Sequence, residues 1–294
     1  MHKFDALARA ALRVAILLLL AGCAANPPAP VTSTPAPPAS ATPAATLTTA
    51  TTAPTITPTL TETTVPTGTS TPAYTGLCSP LEGIGLGQMK EILQGAMQTP
   101  HPGQDDGHHG DDYAFYRFNG REGMEGLPVH SALAGTVVGL VTDRPPYGNA
   151  IILETPLEQV PPEWLAALAI PTPSPVLPAD GRMVNCPAEP ASMPGTGPGR
   201  SLYLLYAHLR QSPPIQVGET AACGQPIGEV GNTGMSGNPH LHFEVRVGPS
   251  GARFPSMSYY DGSATPEEYA TYCTWRVSQL FQLMNPQELL SLQP

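Results

Sequence analysis

The sequence predicts a mainly β protein, an antiparallel sandwich or barrel-like domain with small helices at its C-terminal end. Short apolar, β-branched runs recur with glycine-containing turns between them. The 37 prolines of the 294 residues are concentrated in tracts outside those runs. Two late segments begin like helices with proline in the first turn. Only 12% of the residues are charged, and the tracts cannot join a packed core, so one globular domain plus linkers is expected.

The strand candidates are 132–142, 147–153, 202–209, 226–230 and 240–247. Gly135, Tyr147-Gly-Asn149 and Gly231-Asn-Thr-Gly234 punctuate them as turns. Many short strands of this kind favour antiparallel pairing. A proline-rich stretch, 154–200, separates two runs that otherwise form a hairpin, and Pro162-Glu-Trp-Leu-Ala-Ala-Leu168 within it reads as a short helix. Pro266-Glu-Glu-Tyr269 and Asn285-Pro-Gln-Glu-Leu-Leu290 read as helix starts. The folded domain is expected over 76–294, with its core in 100–250 and an inserted loop at 154–200.

Residues 24–74 are almost entirely Ala, Thr, Pro and Ser, with Glu62 their only charge. Nothing there can bury enough apolar surface to offset ordering entropy. Such a tract favours polyproline II at ~3.1 Å per residue, so about 50 residues reach on the order of 150 Å. It is expected to be a disordered tether over 23–75. Before it, Lys3, Arg9 and Arg13 precede the apolar run 14–20 and then Ala21-Gly22-Cys23. A basic region, a short apolar region and small residues read as a secretory signal over 1–22, too short to span a bilayer. Leu20-Ala21-Gly22-Cys23 resembles the lipobox of bacterial lipoproteins, which implies acylation of Cys23 and an exported chain anchored to the cell membrane or outer membrane, facing the wall.

The formal charge is −10, and cleavage before Cys23 removes three basic residues and one acidic, leaving 10 against 22 and a net −12. That balance argues against nucleic acid or an anionic lipid surface as electrostatic partner. No nucleotide partner is expected either. Four cysteines remain: Cys78, Cys186, Cys223 and Cys273. In an oxidising compartment an even number without a C-x-x-C pair favours disulfides over metal thiolates. Of three pairings, Cys78–Cys273 clamping the domain ends and Cys186–Cys223 tying down the insertion is expected.

The residues that carry chemistry are histidines and aspartates. In His108-His-Gly-Asp-Asp112, an extended backbone puts 108, 110 and 112 on one face, with Gly110 leaving room for an ion and His109 and Asp111 pointing away. Imidazole with carboxylate is suited to zinc. In Pro239-His-Leu-His-Phe-Glu-Val245, His240 and His242 share a face, and Leu241, Phe243 and Val245 share the other. Two imidazoles so placed can supply one ligand and one catalytic neighbour. His208 sits alone in Tyr206-Ala-His-Leu209.

In order along the chain these motifs resemble the lysostaphin-like (LytM-like) zinc metallopeptidases that cut peptidoglycan. His-x-Gly-x-Asp stands at 108–112, and Gly126-Leu-Pro-Val-His-Ser-Ala-Leu-Ala-Gly-Thr-Val137 matches the family's Gly-x-Pro-Val stretch. Tyr147-Gly-Asn149, Tyr206-Ala-His-Leu209, the glycine-rich run 224–236 and His240-Leu-His242 with Phe-Glu-Val-Arg246 follow. The resemblance implies a zinc endopeptidase for peptidoglycan cross-links or stem peptides. It implies one Zn²⁺ on His108, Asp112 and His242, and His208 and His240 as catalytic histidines. Peptidoglycan is then the partner, with the membrane reached through the lipid anchor. The alternative is a non-catalytic LytM-like regulator or activator of wall hydrolases. The related sugar phosphotransferase carriers fit poorly with export and with His-x-Gly-x-Asp. Three departures stand out: a long 112–126 spacing, Thr155 where many relatives carry histidine, and the 154–200 insertion, expected to alter or cover part of the substrate groove.

Overall fold

Strand parity explains the architecture. In Leu202-Tyr-Leu-Leu-Tyr-Ala207 every side chain is apolar or aromatic and buried, so the strand needs cover on both faces. In the computed structural model, which describes residues 76–173, 186–187, 191 and 197–292, it has that cover. Leu202, Leu204 and Tyr206 enter one core cluster, and Tyr203, Leu205 and Ala207 enter a second on the opposite face. The leader, Cys23, the 23–75 tract and much of the insertion lie outside the described residues. No helix among the described residues is long and apolar enough to cross a membrane.

The strands are β1 (Leu93–Gly95), β2 (Asp111–Tyr113), β3 (Arg117–Phe118), β4 (Arg121–Glu122), β5 (Pro128–His130), β6 (Gly135–Arg144) and β7 (Gly148–Pro156), followed by helix α1 (Pro162–Ala167). Then come β8 (Arg200–Leu209), β9 (Thr220–Ala221), β10 (Pro226–Glu229), β11 (Leu241–Pro249), α2 (Pro266–Arg276), β12 (Gln282–Met284) and α3 (Pro286–Leu290). The main sheet runs β1-β2-β11-β8-β7-β6-β9, with β12 also on β11. β5 pairs with β10, and β3 with β4 forms the hairpin that fills the long 112–126 spacing. Every strand pair is antiparallel, so the fold is mainly antiparallel β with few short helices, as the alternation predicts.

The first face packs on β5, β10, the 77–92 segment, α1 and α3; the second is closed by 252–281, including α2. α2 begins where Thr265 and Glu268 satisfy each other's backbone N–H groups (3.2 and 2.9 Å), with Pro266 in the first turn. α3 is capped by Asn285. Phe254, Tyr203, Trp275 and Phe281 meet edge-to-face beneath α2. Burying each such side chain contributes about 1.5–3 kcal/mol.

The disulfides differ from the expected pairing: Cys78 bonds Cys223, and Cys186 bonds Cys273. The reason is the sheet. Cys78 N–H donates to Ala132 O and Gly224 N–H to Ser131 O, so the 76–80 segment lies beside the turn before β10. Cys273 belongs to α2 on the second face, where Ala191 N–H donates to Thr274 Oγ1 at 2.6 Å. The insertion is therefore fastened to the C-terminal helix.

Candidate metal centre

β11 positions the site. Leu241, Phe243, Val245 and Val247 point into the first core, which turns His242, Glu244 and Arg246 to the other face. Asp112 on β2 is the direct cross-strand partner of His242, and Ala207 on β8 is its partner on the other side. His208, next along β8, adopts a left-handed backbone (φ 59°), a conformation non-glycine residues take at a cost. Its N–H is fixed by Tyr147 O at 2.9 Å.

His108, Asp112 and His242 each offer an atom within 4.8 Å of the others. His108 Nε2 lies 3.2 Å from Asp112 Oδ2, and His242 Nδ1 lies 2.8 Å from Asp112 Oδ1. Each imidazole has its far nitrogen held. His108 Nδ1–H donates to Ala96 O (3.1 Å) and His242 Nε2–H to Glu244 Oε1 (3.2 Å). The near nitrogens are then lone pairs facing a carboxylate, an arrangement that demands a proton or a cation between them. Burial opposes charge on His242, yet Asp112 and Glu244 raise its pKa to about 9. Burial favours a neutral Asp112, but hydrogen bonds from His108, His240 and His242 hold its carboxyl well below the usual range. Two imidazoles, one carboxylate and an open side match the donor set of a catalytic zinc site.

His208 and His240 complete the rim, 4.6 Å apart between ring centres. His208 Nδ1–H donates to Thr233 O (2.8 Å) and His240 Nδ1–H to Asn238 O (2.8 Å). Both rings thus direct Nε2 inward; that of His240 is 3.4 Å from Asp112 Oδ1. Burial, then the neighbouring His242 and His240, push the His208 pKa down to about 3. Gly148 keeps this frame close: with φ 69°, a Cβ there would sit 2.3 Å from Thr233, whose carbonyl holds His208.

Two cavities meet the cluster. One of about 350 Å³ is lined by the five residues with Tyr147, Ser236 and Arg276. The larger, about 920 Å³, runs from Asp112 and His240 past Phe115 and Tyr116 to Glu122–Glu125 of the enlarged loop. The described residues of the insertion lie away from the cluster. β7 and β8 pair from Asn149↔Leu209 to Pro156↔Ser201, and the insertion leaves at the second end while His208 sits at the first. Among the described residues of the insertion, none lines either cavity.

The structure brings together all five histidine and aspartate residues singled out in the sequence. Gly110 serves differently from the expectation: a Cβ there would lie 2.5 Å from Phe243 O, so its bareness lets the loop pack against β11. His109 and Asp111 do turn from the cluster, but into the interior. His109 Nδ1 accepts from Arg246, and Asp111 accepts from Met97 N–H, Tyr113 and Gln287. Thr155 is buried and donates to Ala134 O at the far end of β7. Sequence reasoning missed Glu244, Arg246, Trp275 and Arg276 behind His242. Parity with His242 could have found the first two; nothing local marks the others.

Residues 196–253 match the model of peptidase family M23. No curated protein matches the chain. Among solved structures, the catalytic domain of lysostaphin from Staphylococcus simulans is 18% identical, with 71% of this chain and 99% of that one covered and a TM-score of 0.35. A zinc-containing peptidase from Vibrio cholerae is 22% identical, covering 52% and 32%, TM-score 0.30. The catalytic domain of the prophage-encoded M23 protein EnpA from Enterococcus faecalis is 18% identical, covering 55% and 85%, TM-score 0.30. The chain spans about a third to a half of the first solved proteins it matches. The segment similar to peptidase family M23 holds three of the five clustered side chains, His208, His240 and His242, and the other two, His108 and Asp112, lie upstream of it.

Proposed function

We infer that the chain is a zinc-dependent endopeptidase hydrolysing peptide bonds in peptidoglycan cross-links or stem peptides. One observation carries the reading: the lone pairs of His108 and His242 and the Asp112 carboxylate converge while His208 and His240 aim Nε2 at the same cavity. His108, Asp112 and His242 would hold one Zn²⁺. When bound, zinc supplies Lewis acidity and makes water nucleophilic near neutral pH. His208 and His240, both anchored through Nδ1, divide the remaining work. One takes the proton of the attacking water and delivers it to the leaving amine. The other, carrying a proton taken from solvent on Nε2, donates to the oxygen of the scissile carbonyl as it gains charge and returns that proton to solvent afterwards. The 920 Å³ groove beside Asp112 and His240 is where a peptide strand would lie. The basic and apolar leader, Cys23 and the 23–75 tract in the sequence support an exported, lipid-anchored enzyme that reaches an insoluble polymer.

The test is digestion of purified peptidoglycan by the full zinc-loaded chain, with released peptides identified by mass. Release by the wild type and its loss in His240→Ala is expected. No release from the metallated chain, and no difference from His240→Ala, overturns the enzyme. A zinc-loaded chain that releases nothing but stimulates a second wall hydrolase would be a regulator instead.

A further inference from the structure

Behind His242 lies a largely buried ionic cluster, of which Tyr147 and Arg276 also line the 350 Å³ cavity. Glu244 is fully buried and its carboxylate is saturated. Oε1 accepts from Tyr147 Oη–H (2.7 Å) and His242 Nε2–H (3.2 Å), while Oε2 accepts from Arg246 Nε–H (2.8 Å) and Trp275 Nε1–H (3.0 Å). Arg276, on the same last turn of α2, lies 3.8 Å from Glu244 Oε1, and donates to Tyr147 (3.3 Å) and Asp105 (2.6 Å).

The same helix also reaches the other side of the cluster. Arg246 donates to the carbonyls of Trp275 (2.8 Å) and Phe281 (3.2 Å) and to His109 Nδ1 (2.9 Å). His109 Nε2–H in turn holds Asp106 O at 3.1 Å. Asp105 and His109 flank the segment that presents His108. Both donor-bearing segments, 105–112 and β11, therefore rest on Trp275 and Arg276. The charges pair: Glu244 and Asp105 lie against Arg246 and Arg276. From outside, the helix is held by Cys186–Cys273 and by Ala191 N–H on Thr274.

Ionic groups are expensive to bury, and here α2 brings some to one imidazole. A carboxylate behind a ligating histidine fixes its tautomer and ring orientation and raises its basicity. Resting on the zinc reading above, we propose that Trp275 and Arg276 are positioning residues for metal binding at His108, Asp112 and His242, acting through Glu244, Arg246 and Asp105. Both lie in the last turn of α2, beyond the family-matched segment 196–253.

The experiment titrates the full chain with Zn²⁺ against a chromophoric chelator and records the visible spectrum of the Co²⁺ form. Thermal unfolding of the metal-free protein runs in parallel. Trp275→Phe removes one N–H and leaves an aromatic ring, Arg276→Lys keeps the charge without the fork, and Arg276→Met loses both. Zinc affinity should fall about 10–100-fold in Arg276→Met, with Trp275→Phe and Arg276→Lys near the lower end, and the Co²⁺ bands should shift. Ile227→Val, in the small β5–β10 sheet, should lower the unfolding temperature with affinity and spectrum unchanged. Wild-type affinity and Co²⁺ spectrum in both Trp275→Phe and Arg276→Met would falsify the inference. Should Arg276→Met not fold, Trp275→Phe and Arg276→Lys decide in the same way. If those variants bind as the wild type does while Asp112→Ala loses zinc, the positioning role alone is overturned. If the wild type binds no zinc, the reading beneath it falls as well.

Discussion

The two sides of the His242 ring are built by opposite rules. On the Nδ1 side, His108, Asp112, His208 and His240 face a cavity, with one carboxylate shared among three imidazoles at short range. On the Nε2 side, Glu244, Arg246, Arg276 and Asp105 pair charge for charge in an interior closed by Trp275 and Tyr147. On the zinc reading proposed above, the front gathers donors that a cation would satisfy. The back is satisfied and rigid. What differs is where each side's favourable partner comes from: a ligand for one, the fold for the other.

The largest expected effect is at the front. Asp112→Ala removes the one carboxylate shared by His108, His240 and His242. It should abolish zinc binding and peptide release together, measured by metal analysis after dialysis and by mass of released peptides. Full metal retention would remove Asp112 from the donor set. Next, His240→Ala should keep zinc while release falls on the order of 10²–10⁴-fold. Parallel loss of metal would make His240 a ligand. Both front variants should cost less stability than a change behind the ring.

Glu244→Gln tests that contrast. It keeps the shape of the side chain but leaves Arg246 and Arg276 with Asp105 as their remaining buried carboxylate. Breaking a buried charge set in this way is worth about 3–5 kcal/mol. Urea unfolding of the metal-free protein should show a lower midpoint with an unchanged slope. A midpoint matching the wild type would mean the back is no more structural than the front.

The front was legible because its residues are close in sequence and strand parity is local. The two-residue step from His240 to His242 and the four-residue step from His108 to Asp112 are visible without a fold. The same period explains β8: unbroken apolar character from Leu202 to Ala207 signals a strand covered twice. The back was not legible, since Arg276 and Asp105 are 171 residues apart and meet through packing alone. The disulfides failed for the same reason. Spacing suggested that the domain ends were clamped together, whereas sheet order puts Cys78 beside Cys223 and leaves Cys273 to the second face. Length alone likewise does not say which end of a hairpin a loop leaves, and the β7–β8 register puts both ends of the insertion at the end remote from His208.

The smallest effect separates helix stability from helix placement. Thr265 caps α2 at the end remote from Trp275 and Arg276, its hydroxyl accepting from Glu268 N–H at 3.2 Å. Thr265→Ala should cost about 1 kcal/mol, the usual value of such a cap. For a domain of this size that is a shift of ~2–4 °C in the unfolding temperature. Because the last turn stays pinned by Glu244, Asp105 and Cys186, zinc affinity should not move. Trp275→Phe makes the opposite prediction: a single lost hydrogen bond, worth about 1.5–3 kcal/mol to a charged acceptor, with affinity weakened. If Thr265→Ala weakened zinc as much as Trp275→Phe, the back of the site would respond to how firmly α2 folds rather than to what its last turn touches. Unequal responses at similar unfolding temperatures assign the effect to the contacts at Glu244.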